Sequence, residues 1–294
     1  MTAIVEHLAT RRAAGLFDFS FMGLYEFSGL SILQGLQTRD LQAMQPSQIV
    51  YTLLLKEDGA VLIDATVWRL DAERLWLFTG KRSAYGGRDR SGEYAILALQ
   101  GPASGRILAR LIGIETVRTL KYFHFTSHSA LTVARLGFSG ELGYELLIRD
   151  SEAPALRQKL LDAGRRDGLR ECGWAAADSL RIEAGYVLFD REVDGRANPR
   201  ELGLERLAPG RTFEATRRLA GLEILDEPRR ADIPAARLTS ECFSPTLGKR
   251  IALGFADAGA EPGNAVRLAD GRTARVATLP FYDAGRRRPR VSPL

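Results

Sequence analysis

A glycine-rich segment at residues 136–145 contains the residue types of a small-ligand site. Its three glycines permit tight turns and close approach of the backbone, and the segment ends with a carboxylate, Glu145, on a new strand. A carboxylate beside such a backbone suits a small, flat ligand. Because successive strand residues point to opposite faces, an exposed strand position is the alternative interpretation of Glu145.

A second carboxylate, Asp64, lies in a predicted β-hairpin. Residues 51–55 have the pattern of a strand, residues 56–60 that of a turn, and residues 61–70 that of the returning strand. Tyr51 precedes Asp64 by thirteen positions, which brings the two side chains close together across the hairpin. Taken alone, an aspartate in such a hairpin is a solvated or turn-capping residue.

Other chemistry-bearing residues do not form recognisable sites. Cys172 and Cys242 are far apart and lack CxxC spacing, so the sequence predicts a reduced protein without a metal site. His124 and His128 have a spacing that shares a metal ion only on a helix, whereas their surroundings predict a strand. Ser139 lies outside a Gly-x-Ser-x-Gly elbow, which disfavours hydrolase chemistry.

The composition is that of an ordinary globular protein, with 45% hydrophobic and 26% charged residues in a chain of 294. The net charge is +5 and comes mainly from arginine. We interpret the basic run at residues 286–290 as a short solvated tail, and binding to nucleic acid is not expected. No signal sequence or membrane span is predicted, which favours a cytoplasmic protein.

The elements that must position these residues are strands mixed with helices up to a boundary near residue 208, and short strands beyond it. The second pattern predicts a small barrel or sandwich. Strands are predicted at residues 17–27, 51–55, 61–70, 74–79, 94–100, within 121–149, and at 219–225, 236–238, 251–256, 265–268 and 273–279; helices are predicted at residues 29–41, 101–111, 153–168 and 174–184.

Six separated motifs occur in the order in which they are found in one protein family. They lie at residues 17–23, 51–64, 97–102, 136–145, 178–185 and 239–254. Together they resemble the aminomethyltransferase (T-protein) family of the glycine cleavage system and its relatives fused to sarcosine and dimethylglycine oxidising enzymes. Any one motif is weak evidence, but six in collinear order make chance a poor explanation.

The resemblance implies an α+β, three-lobed fold that binds tetrahydrofolate in a central channel, with two α/β lobes in residues 1–208 and a C-terminal β-barrel in residues 209–294. Glu145 matches the family carboxylate that holds the pterin, whose adjacent N–H and amino donors one carboxylate accepts bidentately. Asp64 matches the acid near the folate nitrogens where the one-carbon unit is transferred, and is the predicted catalytic residue. Tyr51 matches a residue that lines the folate pocket.

The chain also departs from the family pattern. The family histidine of the first motif is Phe21, the arginine before the 178–185 helix is Ala177, and the first of two paired acids is Ile63. The loop at residues 80–93 is shortened, and the barrel opening at residues 226–238 is compressed. These changes affect parts of the usual folate or substrate wall.

Two functions are compatible with this sequence. The first is a tetrahydrofolate-dependent methyl or methylene transferase or demethylase that takes its one-carbon unit from a small amine, ether or sulfonium compound. The second is a non-catalytic or folate-independent scaffold, or a partner subunit of an oxidase. An oxidase or a carrier protein is therefore the predicted macromolecular partner.

Overall fold

The computed structural model describes residues 2–225 and 233–294, so part of the compressed barrel opening lies outside the described residues. The helices are α1 (Ala3–Arg12), α2 (Leu30–Leu36), α3 (Ser104–Ile112), α4 (Ile114–Thr119), α5 (Ala153–Gly164) and α6 (Trp174–Glu183). The strands are β1 (Ala14–Asp18), β2 (Gly23–Ser28), β3 (Ile49–Leu55), β4 (Val61–Arg69), β5 (Arg74–Thr79), β6 (Arg88–Asp89), β7 (Tyr94–Gln100), β8 (Phe125–His128), β9 (Leu131–Ala134), β10 (Gly143–Arg149), β11 (Leu169–Glu171), β12 (Arg217–Leu225), β13 (Ile233–Ser244), β14 (Lys249–Asp257), β15 (Ala265–Leu268) and β16 (Thr273–Ala277).

A six-stranded sheet in the order β11-β1-β7-β10-β9-β8 forms the first lobe. Strand β1 pairs parallel with β11 and antiparallel with β7, which in turn pairs antiparallel with β10. Alternation along β10 sends Tyr144 and Leu146 into a core shared with α3 and α5, whereas Leu147 faces the other side of the sheet. Glu145 therefore points to the same side as Leu147.

A five-stranded antiparallel sheet in the order β3-β4-β5-β2-β6 forms the second lobe. The predicted hairpin is present as β3 and β4, and its turn closes through a hydrogen bond from Lys56 N to Ala60 O at 2.9 Å. Alternating apolar residues of β4, such as Ile63 and Ala65, pack into the core of this lobe. The alternate residues of β4, including Asp64, point to the opposite face of this sheet.

The C-terminal strands close into a barrel in the order β12-β14-β13-β15-β16. Its pairs are antiparallel except for β13 and β15. Small and branched side chains such as Leu222, Val266 and Val276 fill the interior. The prediction of a barrel or sandwich is thus resolved as a barrel, and closure leaves no unpaired sheet edge.

The two sheets meet around a shared apolar core that also receives α6. Phe17 and Ile96 enter it from the first sheet, Trp68 and Phe78 from the second, and Leu180 from α6. The side of β10 that carries Glu145 faces this space. The junction of the lobes is therefore where the predicted site residues can meet.

The single strand predicted at residues 17–27 is wrong. The chain forms β1 in the first sheet, turns at residues 19–22, and enters the second sheet as β2. Phe19 N bonds Ile96 O at 2.8 Å, and Met22 N bonds Phe19 O at 3.0 Å, so the turn has its own hydrogen bonds. When the residues that cross from one sheet to another are apolar, their local pattern is the same as that of one long strand.

Helix α1 was not predicted, because the side that it buries is polar. Its buried residues are His7, Thr10 and Arg11, so it lacks the apolar periodicity by which a helix is recognised. The short helix α4 was also not predicted. Within the described ranges, none of the helices combines the length and hydropathy needed to cross a bilayer.

The basic run at residues 286–290 is solvated, as interpreted from the sequence, because Arg287, Arg288 and Arg290 are exposed, but it is also attached to the rest of the protein. Pro289 is buried, and Arg288–Arg290 form a 3₁₀ turn. Farther on, Arg135 Nη2 donates to Val291 O at 2.5 Å, which attaches the C-terminal segment to the first lobe. The guanidinium groups of Arg286, Arg288 and Arg290 pack on the rings of Tyr186, Tyr282 and Tyr122 respectively. These contacts give the run a defined position that its charge alone did not predict.

Candidate active site

Asp64 and Tyr51 lie on neighbouring strands of the β3–β4 hairpin. Leu53 is directly opposite Asp64 and Thr66 directly opposite Tyr51, so the two polar side chains are diagonal neighbours on one face. Tyr51 Oη donates a hydrogen bond to Asp64 Oδ2 at 2.9 Å. The predicted proximity is confirmed, and Asp64 lies within a strand rather than capping a turn.

The environment of this pair raises the pKa of both groups. Burial raises the pKa of Asp64, the hydrogen bond from Tyr51 opposes that effect, and the charge of Glu192 adds to it. Burial and the neighbouring Asp64 charge raise the pKa of Tyr51 well above its usual value, so Tyr51 remains a hydrogen-bond donor. A carboxyl whose pKa is raised can exchange a proton with a reacting amine nearer to neutral pH.

Three residues near the Asp64–Tyr51 pair were not identified from the sequence. Glu192 and Tyr186 contribute to the pKa values of Asp64 and Tyr51 respectively. Tyr85, in the shortened loop after β5, is buried, and Asp64 is among the charges that raise its pKa to about 12, after burial itself. Tyr186 directly follows the 178–185 motif, which was the one available signal for it; the loop of Tyr85 lies outside the six motifs.

Glu145 is a buried carboxylate without a protein partner. It is 7% exposed, and its carboxylate has no hydrogen bond or ion pair with any residue that the structure describes. Ala98 and Ala134 lie directly opposite it on the neighbouring strands, so its cross-strand neighbours are small. Burial raises the pKa of Glu145 to about 7. The exposed alternative is therefore wrong, and Glu145 is available to a ligand.

Leaving a carboxylate buried without a partner is costly, and the raised pKa of Glu145 reflects that cost. A shift from its usual value of 4.5 to about 7 corresponds to roughly 3 kcal/mol of unfavourable desolvation of the ionised form. Buried polar groups are normally hydrogen-bonded. A ligand that offers two adjacent N–H donors to Glu145 would supply the missing contacts.

The glycines of the 136–145 segment make room for a side chain of the protein. A β-carbon at Gly137 would lie 2.1 Å from Gln100 Oε1, and one at Gly143 would lie 2.3 Å from Gln100 Nε2. Ser139 Oγ donates to Gln100 Oε1 at 2.7 Å. The backbone of this segment does approach another group closely, as its glycines predict. That group is the buried side chain of Gln100 rather than a ligand.

A row of aromatic rings connects the Glu145 side of the junction with the Asp64 hairpin. Phe138 and Phe19 have ring centroids 4.4 Å apart, Phe19 and Phe21 are 5.5 Å apart, and Phe21 and Phe189 are 6.4 Å apart. The Phe189 ring packs on Gly80, which follows the strand paired with β4. The row supplies flat apolar surfaces that suit an aromatic ligand.

Two departures from the family pattern lie in this region. Phe21, at the histidine position, is 41% exposed and packs edge-to-face on Trp174 at 5.5 Å. Ala177, at the arginine position, is buried in the apolar core at the junction of the sheets. The junction therefore lacks the cation that the family motif has at residue 177, and gains an exposed aromatic ring.

Arg181 and Glu183 are held by the protein itself. Arg181 bonds Asp178 Oδ1 and Glu192 Oε2, both at 2.7 Å, and so links α6 to the loop that follows it. Glu183 accepts hydrogen bonds from Arg11 at 2.8 Å and 3.0 Å. The Arg181–Asp178 pair lies within α6, whereas the partner of Glu183 comes from α1.

Family models match both parts of the chain. Residues 2–209 match the GCVT N-terminal domain, and residues 217–283 match the glycine cleavage T-protein C-terminal barrel domain. The chain belongs to the glycine cleavage T-protein family. The first match ends at residue 209, close to the predicted division at residue 208, which itself stays a prediction.

Relatives are similar over almost the whole chain. An aminomethyltransferase of Symbiobacterium thermophilum is 34% identical, covering 98% of this chain and 91% of its own length. One of Bacillus subtilis is 32% identical, covering 94% and 90% respectively. The crystal structure of glycine cleavage system aminomethyltransferase T from Bartonella henselae matches with a TM-score of 0.82 and 25% identity, over 96% of this chain and 90% of that one.

These matches confirm the predicted family and the predicted three-lobed α+β fold with its C-terminal barrel. They also support folate-dependent one-carbon transfer as the class of reaction, with tetrahydrofolate as the carrier. The roles of Tyr51, Asp64 and Glu145 are a separate question, because neither a family match nor a fold match assigns a residue.

Proposed function

We propose that this T-protein family member transfers a one-carbon unit between a small molecule and tetrahydrofolate, with Glu145 holding the pterin and Asp64 acting at the folate nitrogens. Tyr51 positions the Asp64 carboxyl through their 2.9 Å hydrogen bond. The proposal assigns one carboxylate to binding and the other to chemistry.

The single observation that carries the proposal is the buried Glu145 without a partner. Its carboxylate faces an apolar space between two sheets, bordered by alanines and near a row of aromatic rings. A pterin matches that environment, because it is flat and presents adjacent N–H and amino donors on one edge. Such a charge-assisted bidentate pair is stronger than a neutral hydrogen bond.

Asp64 has the properties that proton exchange at an amine requires. Burial raises its pKa, and Tyr51 occupies Oδ2. Bound tetrahydrofolate supplies the nitrogen that carries the one-carbon unit. The Asp64 carboxyl can orient that nitrogen, stabilise positive charge on it, and hold or release a proton.

Calorimetric titration of tetrahydrofolate into the purified protein tests the proposal. We expect binding by the parent protein, and a loss of about tenfold to a hundredfold in affinity for Glu145→Gln, the range expected for a hydrogen-bonded charge. Glu57→Gln is the matched control, since Glu57 is exposed in the β3–β4 turn. Absence of binding by the parent at high micromolar concentration, or equal affinity in the Glu145 variant, would contradict the proposal.

We further propose that the one-carbon unit comes from a small methylated amine, ether or sulfonium compound, delivered directly or by an oxidase or carrier protein in the cytoplasm. The exposed rings of Phe21 and Trp174, at 41% and 48%, support a donor with methyl groups because such groups pack well on aromatic faces. Incubating the protein with tetrahydrofolate and each donor class, followed by mass spectrometry of the folate, distinguishes the donors. Conversion of no donor class would contradict direct delivery.

A further inference from the structure

Glu192 is a fully buried carboxylate that accepts hydrogen bonds on both of its oxygens. Oε2 accepts from Arg181 Nη1 at 2.7 Å and from the backbone N–H of Leu188 at 3.0 Å. Oε1 accepts from the hydroxyls of Thr239 and Ser240 at 2.5 Å and 2.6 Å. The carboxylate therefore joins three parts of the chain: α6, the loop that follows α6, and strand β13 of the barrel.

Arg181, the cation paired with Glu192, is also held from several directions. Its Nε donates to Asp178 Oδ1 at 2.7 Å, and its Nη2 donates to Ser240 Oγ at 2.6 Å. Its Nη1 donates to Tyr186 O at 3.1 Å as well as to Glu192. A buried ion pair contributes a defined geometry when hydrogen bonds occupy its remaining donors and acceptors, and the Arg181–Glu192 pair meets that condition.

The loop of residues 186–193, here called the Glu192 loop, lies over the face of the β3–β4 hairpin that carries the candidate active site. Val193 packs in one apolar cluster with Leu53 and Val61 of the hairpin, and Tyr51 packs against the same cluster. Glu192 is the neighbour of Val193 in the chain. The bonds to Glu192 thus determine how this loop is placed on the hairpin.

The same loop also contacts the chain that follows β5. A β-carbon at Gly80 would lie 2.4 Å from the Phe189 ring, so the ring packs directly on the backbone there. Lys81 Nζ donates to Asp190 Oδ2 at 2.8 Å. Phe189 is the last ring of the aromatic row that leads from the Glu145 side of the junction. Displacement of the Glu192 loop would therefore alter both the hairpin face and this row.

The charge of Glu192 acts on Asp64. Burial raises the pKa of Asp64, the hydrogen bond from Tyr51 on β3 opposes that effect, and the Glu192 charge adds to it. The other titratable groups that act on this pair are Tyr186 and Arg206, through Tyr51, and Tyr85, through Asp64. Because a neighbouring negative charge disfavours ionisation of a carboxyl, Glu192 favours the protonated form of Asp64.

We propose that Glu192 is a positioning residue for one-carbon transfer: held by Arg181 and by two barrel hydroxyls, it fixes the Glu192 loop over the Asp64–Tyr51 pair and places a second negative charge near Asp64. The inference rests on the proposed role of Asp64 in proton exchange, because it identifies a group that controls the proton on that carboxyl. Glu192 acts through Asp64 and through the loop, without touching the substrate.

Infrared spectroscopy of the Asp64 carboxyl tests the electrostatic part of the inference without a substrate. The C=O stretch of a protonated carboxyl differs from the stretches of a carboxylate, and the band lost in Asp64→Asn identifies Asp64. We expect the pH midpoint of this band to move to lower pH in Glu192→Gln, since the variant removes the neighbouring charge. Hydrogen exchange measured by mass spectrometry tests the positioning part, and exchange at residues 186–193 should become about tenfold faster in Glu192→Gln.

Three further variants keep the test decisive. Glu192→Asp keeps the charge and should return the midpoint toward that of the parent protein. Asp178→Asn is the matched control, because it removes the other carboxylate bonded to Arg181 and should leave the midpoint unchanged. If Glu192→Gln does not fold, Arg181→Met/Glu192→Gln removes both buried charges together, which is often tolerated, and should show the same shift.

The outcomes separate this inference from the proposed function. An unchanged midpoint in folded Glu192→Gln, an equal shift in Asp178→Asn, or unchanged exchange of the Glu192 loop would overturn the inference and leave the proposed function intact. Calorimetric titration of tetrahydrofolate into the parent protein completes the test. Absence of binding there would overturn the proposed function and, with it, the assignment of Glu192 to one-carbon transfer.

Discussion

The two carboxylates of the candidate site differ in their hydrogen-bond partners. Asp64 has a tyrosine hydroxyl at 2.9 Å, whereas Glu145 has no partner among the described residues. Burial raises the pKa of each. The difference assigns the roles: a carboxyl already positioned by the protein is suited to proton exchange, and one that lacks contacts is suited to a ligand that brings donors.

Glu145 predicts a pH dependence of folate binding. Its pKa is raised to about 7 in the folded protein, and only the ionised carboxylate accepts two N–H donors. We expect tetrahydrofolate affinity to rise as pH increases from 6 to 8, with proton release on binding at pH 7. Calorimetry in two buffers of different ionisation enthalpy measures that release. A pH-independent affinity would contradict the assignment.

The same pKa predicts how Glu145 affects stability. Because its folded pKa exceeds its usual value of 4.5, the folded protein binds more protons between pH 4.5 and about 7, so its stability falls as pH rises through this window. Glu145→Gln removes the cost of burying an ionised carboxylate. It should stabilise the apo protein at pH 8 by about 2–3 kcal/mol, with little effect at pH 4. Urea unfolding at both pH values measures the difference; a variant destabilised at pH 8 would contradict the prediction.

Asp64 predicts a loss of turnover without a loss of fold. Asp64→Asn keeps the shape of the side chain and removes its proton exchange, so we expect one-carbon transfer to fall by about 10² to 10⁴. Tetrahydrofolate binding should change little. Mass spectrometry of the folate product measures turnover, and circular dichroism checks the fold. Glu57→Gln is the matched control in the same hairpin, and an active Asp64 variant would exclude the catalytic role.

At the scale of elements, the glycine-rich segment and strand β7 form one unit. The segment wraps around Gln100 at the end of β7, and Ser139 holds the carboxamide at 2.7 Å. Strand β10 then starts at Gly143, two residues before Glu145. The segment therefore acts on the ligand through the strand that it begins, by determining where Glu145 lies.

This arrangement predicts the effect of adding one methyl group. Gly137→Ala places a β-carbon 2.1 Å from Gln100 Oε1, and we expect a destabilisation of about 1–3 kcal/mol from overpacking. Gly35→Ala is the control, because no atom outside its own helix backbone lies within 4 Å of its added β-carbon. Urea unfolding measures both. Adding Gln100→Ala to the Gly137 variant should recover part of the loss, since the two sites share one contact; a neutral Gly137 variant would contradict the packing account.

At the scale of the whole molecule, a buried charge network joins separate parts of the chain. Arg11 of α1 bonds Glu141 at 3.0 Å and Glu183 of α6 at 2.8 Å, and its guanidinium lies 3.9 Å from the Tyr282 ring centroid beyond the barrel strands. His7 Nε2 lies 3.1 Å from Glu183 Oε1. Burial acts to raise the pKa of Glu183, but the bond from His7 and the charge of Arg11 outweigh it and lower that pKa to about 2.

The network predicts that stability depends strongly on Arg11. Arg11→Met removes the cation that two buried carboxylates share and leaves Glu141 with Arg288 and Glu183 with His7. We expect a loss of about 3–5 kcal/mol. Arg12→Met is the matched control, because Arg12 is the adjacent, exposed arginine of the same helix and should be nearly neutral. Urea unfolding at pH 7 compares the two. Similar stabilities for the two variants would contradict a structural role of the network.

The sequence by itself determined the features that are encoded locally. Alternation and turn residues located the Tyr51–Asp64 hairpin and the barrel strands, and collinear motifs identified the family. Such signals survive in sequence because a hairpin or a turn depends on neighbouring residues. The catalytic assignment of Asp64 came from the same source and stays a prediction.

Only the tertiary structure decided which of these residues lack a partner. It buried Glu145 between two sheets without a donor, filled the glycine turn with Gln100, and packed arginines of the basic run at residues 286–290 on tyrosine rings. It also revealed α1, whose buried side chains are polar. Each of these results depends on contacts between residues distant in the chain, and no local pattern specifies whether a distant residue supplies or withholds a hydrogen bond.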